Sequence, residues 1–244
     1  MNDTELARQI AESAGRMLVE LRQSGLYSGK ELGKAGDELA NAFIMRALRH
    51  SRPDDAILSE EERDNAARLA ASRVWIVDPL DGTREYGEAR ADWAVHVALA
   101  IDNAAALGAV ALPGLPLTLS SGDSLGRPHH SGKLRMVVSR TRPAAEAVAV
   151  AEALGAELVP MGSAGAKAMA VVRGEADIYL HSGGQYEWDN CAPVAVAQAA
   201  GLHVSRLDGS PLRYNQRDTL LPDLLVCPKE HAARVIDLAA RHRA

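Results

Sequence analysis

The sequence predicts an α/β protein in two parts, an α+β half followed by an α/β half. Three patterns carry that reading. Leu6, Ile10, Ala14, Met17, Leu18 and Leu21 recur at helical spacing. Trp93, Val95, Val97, Leu99 and Ile101 alternate with a period of two, as in a strand. From Arg135 onward, short apolar runs alternate with helical ones, which is the grammar of helices layered on a sheet.

Taken in order, the first helix starts behind an Asn2 or Asp3 cap. Gly25, Gly29, Gly33 and Gly36 read as a glycine-rich turn. A second helix opens at Asp37, with Leu39, Phe43, Ala47 and Leu48 on its apolar side. Residues 74–77 form a β-rich run that ends in the turn chemistry of Asp78-Pro79-Leu80-Asp81-Gly82. Strands follow over 93–101, 108–112 and 117–120. The polar stretch 121–132, with its His129-His130 pair in a solvated loop, divides the chain into subdomains 1–128 and 129–244. Beyond it, strands are expected over 135–139, 158–161, 177–181 and 224–227. Helices are expected over 143–154, 164–172, 189–200 and 232–240.

Composition narrows the function. The chain has 244 residues, 47% hydrophobic and 24% charged, which excludes a disordered chain, a collagen and a coiled coil. Aromatics are only 4%, with Phe43 the single phenylalanine, so Ala, Val and Leu must build the core. A net charge of −5 gives no electrostatic basis for binding nucleic acid or an anionic membrane. Cys191 and Cys227 form no CxxC pair, which argues against a zinc site or a disulfide scaffold. Cys191 reads as a small buried thiol. The apolar stretches 94–101 and 104–112 fall short of the roughly 18 residues a membrane span needs. No basic start and apolar run marks a signal peptide, so a cytoplasmic location is expected.

Walker A, GxGxxG, HExxH and GxSxG signatures are absent. What remains is acidic. Ser59-Glu60-Glu61-Glu62 follows Ile57-Leu58, the Asp78–Asp81 turn follows an apolar run, and Trp188-Asp189 precedes a helix. Carboxylates at the ends of buried elements repel one another and are costly to bury, and hard divalent cations such as Mg²⁺ relieve that cost. Pro79 stiffens the turn, and Gly82 lets the backbone approach a ligand closely. A helix opening at Thr83 would point the N–H groups of Gly82 and Thr83 at an anion. Metal ligands beside an anion cradle point to metal-assisted phosphoryl chemistry. Taken singly, Asp78-Pro79 also reads as a cap or turn, Glu60–Glu62 as a solvated helix start, and Asp189 as an N-cap.

Three ordered strings resemble the motifs of the inositol monophosphatase superfamily. They are Ser59-Glu60-Glu61, then Trp75-Ile76-Val77-Asp78-Pro79-Leu80-Asp81-Gly82-Thr83, then Glu187-Trp188-Asp189-Asn190-Cys191-Ala192-Pro193. The resemblance covers nearly the whole chain. Residues 183–189 and 208–215 look most like the CysQ-type 3′-phosphoadenosine-5′-phosphate phosphatases, in their actinobacterial branch. It implies a layered α/β/α/β/α sandwich of the inositol monophosphatase and sugar phosphatase type. It also implies a phosphomonoesterase using two or three Mg²⁺, sensitive to Li⁺, that clears a by-product of sulfate assimilation. The substrate would be a phosphorylated small molecule, 3′-phosphoadenosine 5′-phosphate. Inositol 1-phosphate and fructose 1,6-bisphosphate are the alternatives within the same chemistry, and a non-catalytic phosphate sensor is the alternative outside it. Dimers are frequent in the family, so a homodimer is an open expectation.

The resemblance also implies roles. Glu60, Asp78 and the Leu80 carbonyl would hold the first metal; Asp78, Asp81 and Asp189 would hold the second; and Asp37 would help to place a third. Thr83 would orient the attacking water, with Glu60 or Asp37 accepting its proton, and the N–H groups of Gly82 and Thr83 would bind phosphate. Lys34-Ala35-Gly36-Asp37 stands where the family often has Thr-Ala-x-Asp, and His181 stands where inositol-specific members carry a glutamate. Lys167 matches a basic position of nucleotide-type members, although it also reads as a solvated helix lysine. Lys167, His181, Arg213 and Tyr214 are the candidate substrate contacts, and Arg140 and Arg142 are further candidate anion contacts.

Overall fold

The structure, a computed structural model, describes residues 1–126 and 132–242. Helix α1 (Asp3–Gln23) is closed by a reciprocal cap. The Asn2 side chain accepts from the Glu5 N–H at 2.9 Å, and the Glu5 carboxylate accepts from the Asn2 N–H at 3.0 Å. Asp3, the other candidate cap, pairs with Arg52 and Arg73 instead.

Helix α2 (Gly29–Ser51) corrects the reading of a glycine-rich turn. It begins at Gly29, so Gly33, Gly36 and Asp37 all lie inside it. Those glycines serve close packing. A Cβ on Gly33 would stand 2.7 Å from Thr83 Cγ2, and one on Gly36 would stand 2.9 Å from Tyr86 Cε1. Glycine costs a helix about 1 kcal/mol against alanine. The tight approach of α2 to the start of helix α3 (Thr83–Gly87) offsets that cost.

Strands β1 (Ala56–Ser59), β2 (Arg73–Asp81), β3 (Ala94–Ile101), β4 (Ala104–Leu112) and β5 (Leu117–Ser120) form one five-stranded sheet in that order. Only the β1–β2 pair within it is parallel. The second sheet takes β6 (Arg135–Ser139), β7 (Glu157–Met161), β8 (Ile178–Tyr186), β9 (His203–Ser205) and β10 (Leu220–Cys227) in the order β7-β6-β8-β10-β9. The helices of this half are α4 (Ala145–Leu154), α5 (Ala164–Val172), α6 (Glu187–Ala199) and α7 (Lys229–His242). The strand expected over 74–77 runs on to Asp81, and that over 177–181 runs on to Tyr186. The short β1 and β9 are too brief to show a period in the sequence.

Helices α1 and α2 cover one face of the first sheet, α5 and α6 lie between the two sheets, and α4 and α7 cover the far face of the second. This is an α/β/α/β/α sandwich. Strand alternation assigns side chains to its layers. Trp75 and Val77 of β2 join Leu18 and Ile44 in the outer core, whereas Val74 and Ile76 join Met169 and Val196 in the central one. Val150, Leu225 and Val235 fill the third gap. The expected subdomain boundary at 128/129 and the His129-His130 pair lie outside the described residues. Among the described residues, no helix is long and apolar enough to cross a membrane.

Candidate metal centre and substrate cavity

The site begins with an irregularity at the end of β2. In the antiparallel pairing Asp78 faces His96, and Asp81 faces Ala94. Three steps along β2 therefore match two along β3, so one extra residue is accommodated as a bulge. In a regular strand, residues three apart point to opposite faces. The bulge resets that parity, so Asp78 and Asp81 both face the middle helical layer. Pro79, which has no N–H to give a ladder, sits within the bulge. The Leu80 N–H turns back to donate to Asp78 Oδ1 at 3.0 Å. Gly82 then takes φ 92°, a left-handed conformation that favours glycine, and a Cβ there would stand 3.0 Å from Ser163 Cβ. Helix α3 opens at Thr83, as the sequence suggested.

Asp189 arrives from the middle layer, in the first turn of α6, where its Oδ2 accepts from the Tyr186 N–H at 2.6 Å. Asp78, Asp81 and Asp189 thus each offer a carboxylate oxygen, all within 4.8 Å of one another. Burial, then the charges of Glu60, Asp81 and Asp189, push the Asp78 carboxyl well above its ordinary range. Burial and the charge of Asp81 raise Asp189 to about 6. Burial and the charges of Asp189 and Glu61 raise Glu60 to about 7. Asp37, 8% exposed on α2, is raised to about 7 by burial and by Glu61 and Glu60. The Thr83 hydroxyl donates to the Leu80 carbonyl at 3.1 Å. A convergent set of oxygen donors whose own repulsion opposes ionisation fits a hard divalent cation.

Asp81 is the exception, held below its ordinary range. Burial acts to raise it, and the His96 charge and contact, the Gly165 N–H and Lys167 outweigh burial. Helix α5 supplies two donors from its first turn, Ala164 N to Oδ1 at 3.2 Å and Gly165 N to Oδ2 at 2.6 Å.

Asp81 and Asp189 line a cavity of about 340 Å³, and Arg140, Arg142, Lys167 and His181 line its other walls. Pockets of roughly 300–1,000 Å³ take small ligands. Lys167 is 4% exposed, so it is not a solvated helix lysine. Its Nζ donates to the carbonyls of Gly162 at 2.5 Å and Ser163 at 2.8 Å and lies 5.5 Å from the Tyr179 ring centroid. His181 accompanies it, with Nε2 3.0 Å from the Gly184 oxygen. Arg140 is committed to Glu85 and Glu88. Two expected substrate contacts are not in this wall. Tyr214 is 1% exposed and spends its hydroxyl on Asn190 Oδ1 at 2.9 Å, which removes it as a platform for a base. Arg213 is exposed and does not line the cavity. Cys191 is fully buried in the central core.

Sequence reasoning missed His96 and Glu187. His96 carries a signal, since it is the polar residue in an otherwise apolar run over 94–101. Glu187 is fully buried, and its carboxylate accepts from the N–H groups of Asn215 at 2.6 Å and Gln216 at 2.7 Å. It thereby ties the segment ahead of β10 to the start of α6.

Fold and site together define a layered α/β protein with an acidic centre suited to a metal ion. Residues 3–244 match the inositol monophosphatase family, and the chain belongs to that family, which is metal-dependent. The chain is 48% identical over 242 residues to a 3′-phosphoadenosine 5′-phosphate phosphatase of Mycobacterium leprae, covering 93% of this chain and 89% of the relative. It is 49% identical over 237 residues to the protein of the same name from Mycobacterium tuberculosis, covering 90% and 86%. Among solved structures, CysQ from Bacteroides thetaiotaomicron superposes with a TM-score of 0.82 at 25% identity, covering 93% of this chain and 97% of that one.

Proposed function

We propose that the chain is a Mg²⁺-dependent phosphomonoesterase that hydrolyses 3′-phosphoadenosine 5′-phosphate to AMP and phosphate. The observation that carries this reading is the meeting of Asp78, Asp81 and Asp189 beside a basic-walled cavity. The 48% identity to a phosphatase of that name supports the substrate.

Glu60, Asp78 and the Leu80 carbonyl would hold one Mg²⁺, Asp78, Asp81 and Asp189 a second, and Asp37 would help to place a third. Mg²⁺ bound there supplies charge neutralisation for the phosphoryl oxygens and the leaving alkoxide. Glu60 or Asp37 would accept the proton of the attacking water. Thr83, whose hydroxyl lies 3.1 Å from the Leu80 carbonyl oxygen, would orient that water. The N–H groups of Gly82 and Thr83 would take the phosphate oxygens. Water attacks the 3′-phosphorus in line and the ribose oxygen leaves, so no covalent enzyme intermediate is needed. Arg142 is exposed at the cavity, and among the described residues no ion pair engages it, so it is free for the 5′-phosphate.

Phosphate release from 3′-phosphoadenosine 5′-phosphate, inositol 1-phosphate and fructose 1,6-bisphosphate, each with Mg²⁺ and with EDTA, tests the reading. The nucleotide should be preferred and EDTA should abolish turnover. A preference for inositol 1-phosphate would overturn the substrate assignment.

A further inference from the structure

His96 stands on β3 opposite Asp78, fully buried. Its Nδ1 lies 3.0 Å from the Trp188 carbonyl oxygen and its Nε2 lies 3.2 Å from Asp81 Oδ2. A carbonyl oxygen only accepts, so Nδ1 carries a hydrogen and points it at the backbone immediately ahead of Asp189. At the other edge of the ring, Nε2 faces Asp81 at ion-pair distance, without the alignment of a hydrogen bond. One imidazole therefore spans from a carboxylate of the first sheet to the peptide that precedes a carboxylate of the middle helical layer.

The space for this ring is made by Gly165. A Cβ there would stand 2.1 Å from His96 Nε2 and 3.1 Å from Ala94 Cβ. Gly165 lies within α5, where alanine is the better helix former. Glycine at this position therefore serves the ring and the Asp81 carboxylate, to which the Gly165 N–H also donates. A buried imidazole in an otherwise apolar strand is costly unless its polar atoms are used.

We propose that His96 is a positioning residue, a strut that fixes the separation and orientation of Asp81 relative to Asp189 and so sets the affinity of the metal these carboxylates share. This rests on the reading of the acidic cluster as a metal centre. It differs from a packing role because the ring's two nitrogens address two different elements, and loss of either contact should loosen the pair.

The test is Mn²⁺ binding to the metal-free protein, followed by electron paramagnetic resonance of the free ion, on wild type and three variants. In His96→Gln the amide can reach Asp81 but not Trp188, and in His96→Asn the reverse holds. Gly165→Ala keeps the imidazole and the helix but takes the ring's space, so it decides the matter if a histidine variant does not fold. Each variant that is folded by circular dichroism should bind Mn²⁺ about 10- to 100-fold more weakly, the usual loss when a group orienting a ligand is removed. In turnover, part of the lost kcat should return at raised Mg²⁺. Wild-type Mn²⁺ affinity in a folded variant, with only a lower melting temperature, would overturn the strut while leaving the metal centre intact. A wild-type protein that binds no Mn²⁺ would overturn both.

Discussion

In the metal-free protein, raising the pH should weaken the fold, and Mg²⁺ should restore it. Asp37 shows the size of the effect. It is 8% exposed, and burial with its acidic neighbours raises it from 3.8 to about 7. The folded state therefore keeps a proton that the unfolded chain has already released. That stability is fully present below pH 4 and is lost as pH rises through about 7. At 1.36 kcal/mol per pKa unit, Asp37 alone accounts for about 3 kcal/mol lost between pH 5 and pH 8. Glu60, Asp78 and Asp189 shift in the same direction. For a chain of this size 1 kcal/mol moves the melting temperature by roughly 2–4 °C, so a fall of about 6–12 °C is expected. The assay is differential scanning calorimetry in EDTA and in 10 mM Mg²⁺, across that pH range. Mg²⁺ should raise the melting temperature most at pH 8, where the carboxylates are ionised, and least at pH 5. Metal-free protein that is as stable at pH 8 as at pH 5, or an equal Mg²⁺ effect at both, would refute the reasoning.

Other outcomes follow from the same geometry. Arg142→Ala should lower kcat/KM on the bisphosphate by about ten- to a hundredfold, the worth of one charge-assisted bond, and should change inositol 1-phosphate turnover far less; equal losses would remove Arg142 from the second phosphate. Gly33→Ala should destabilise the protein by about 1–3 kcal/mol in urea unfolding despite the better helix residue, because the new methyl meets Thr83 at 2.7 Å; a neutral or stabilising effect would show that α2 can move away. Li⁺ should inhibit phosphate release by replacing a divalent ion with a singly charged one that stabilises the leaving oxygen less, an effect absent if the centre is built otherwise.

The acidic centre was legible because its chemistry is local. Asp78-Pro79-Leu80-Asp81-Gly82-Thr83 holds the bulge, the left-handed glycine and the start of α3 in adjacent positions. The layers were legible where alternation was long, as over 93–101. Gly33 and Gly36 misled because a glycine that ends a helix and one that lets a helix pack closely look alike in sequence; only Thr83 and Tyr86 across the contact tell them apart. Tyr214 misled for a similar reason. Its immediate neighbours Arg213 and Asn215 are polar, yet Tyr214 itself is buried and gives its hydroxyl to Asn190. His96 was visible as a polar interruption, but its partners Trp188 and Asp81 come from other elements and appear only in the fold.

The central claim is that Asp78, Asp81 and Asp189 form a metal centre. The most direct measurement is a crystal structure of protein soaked in Mn²⁺, with the ion located by its anomalous scattering. The ion should lie between the three carboxylates, at the short oxygen distances of a hard divalent cation, about 2.0–2.3 Å. Mn²⁺ bound elsewhere, with these three side chains left to one another, would contradict it.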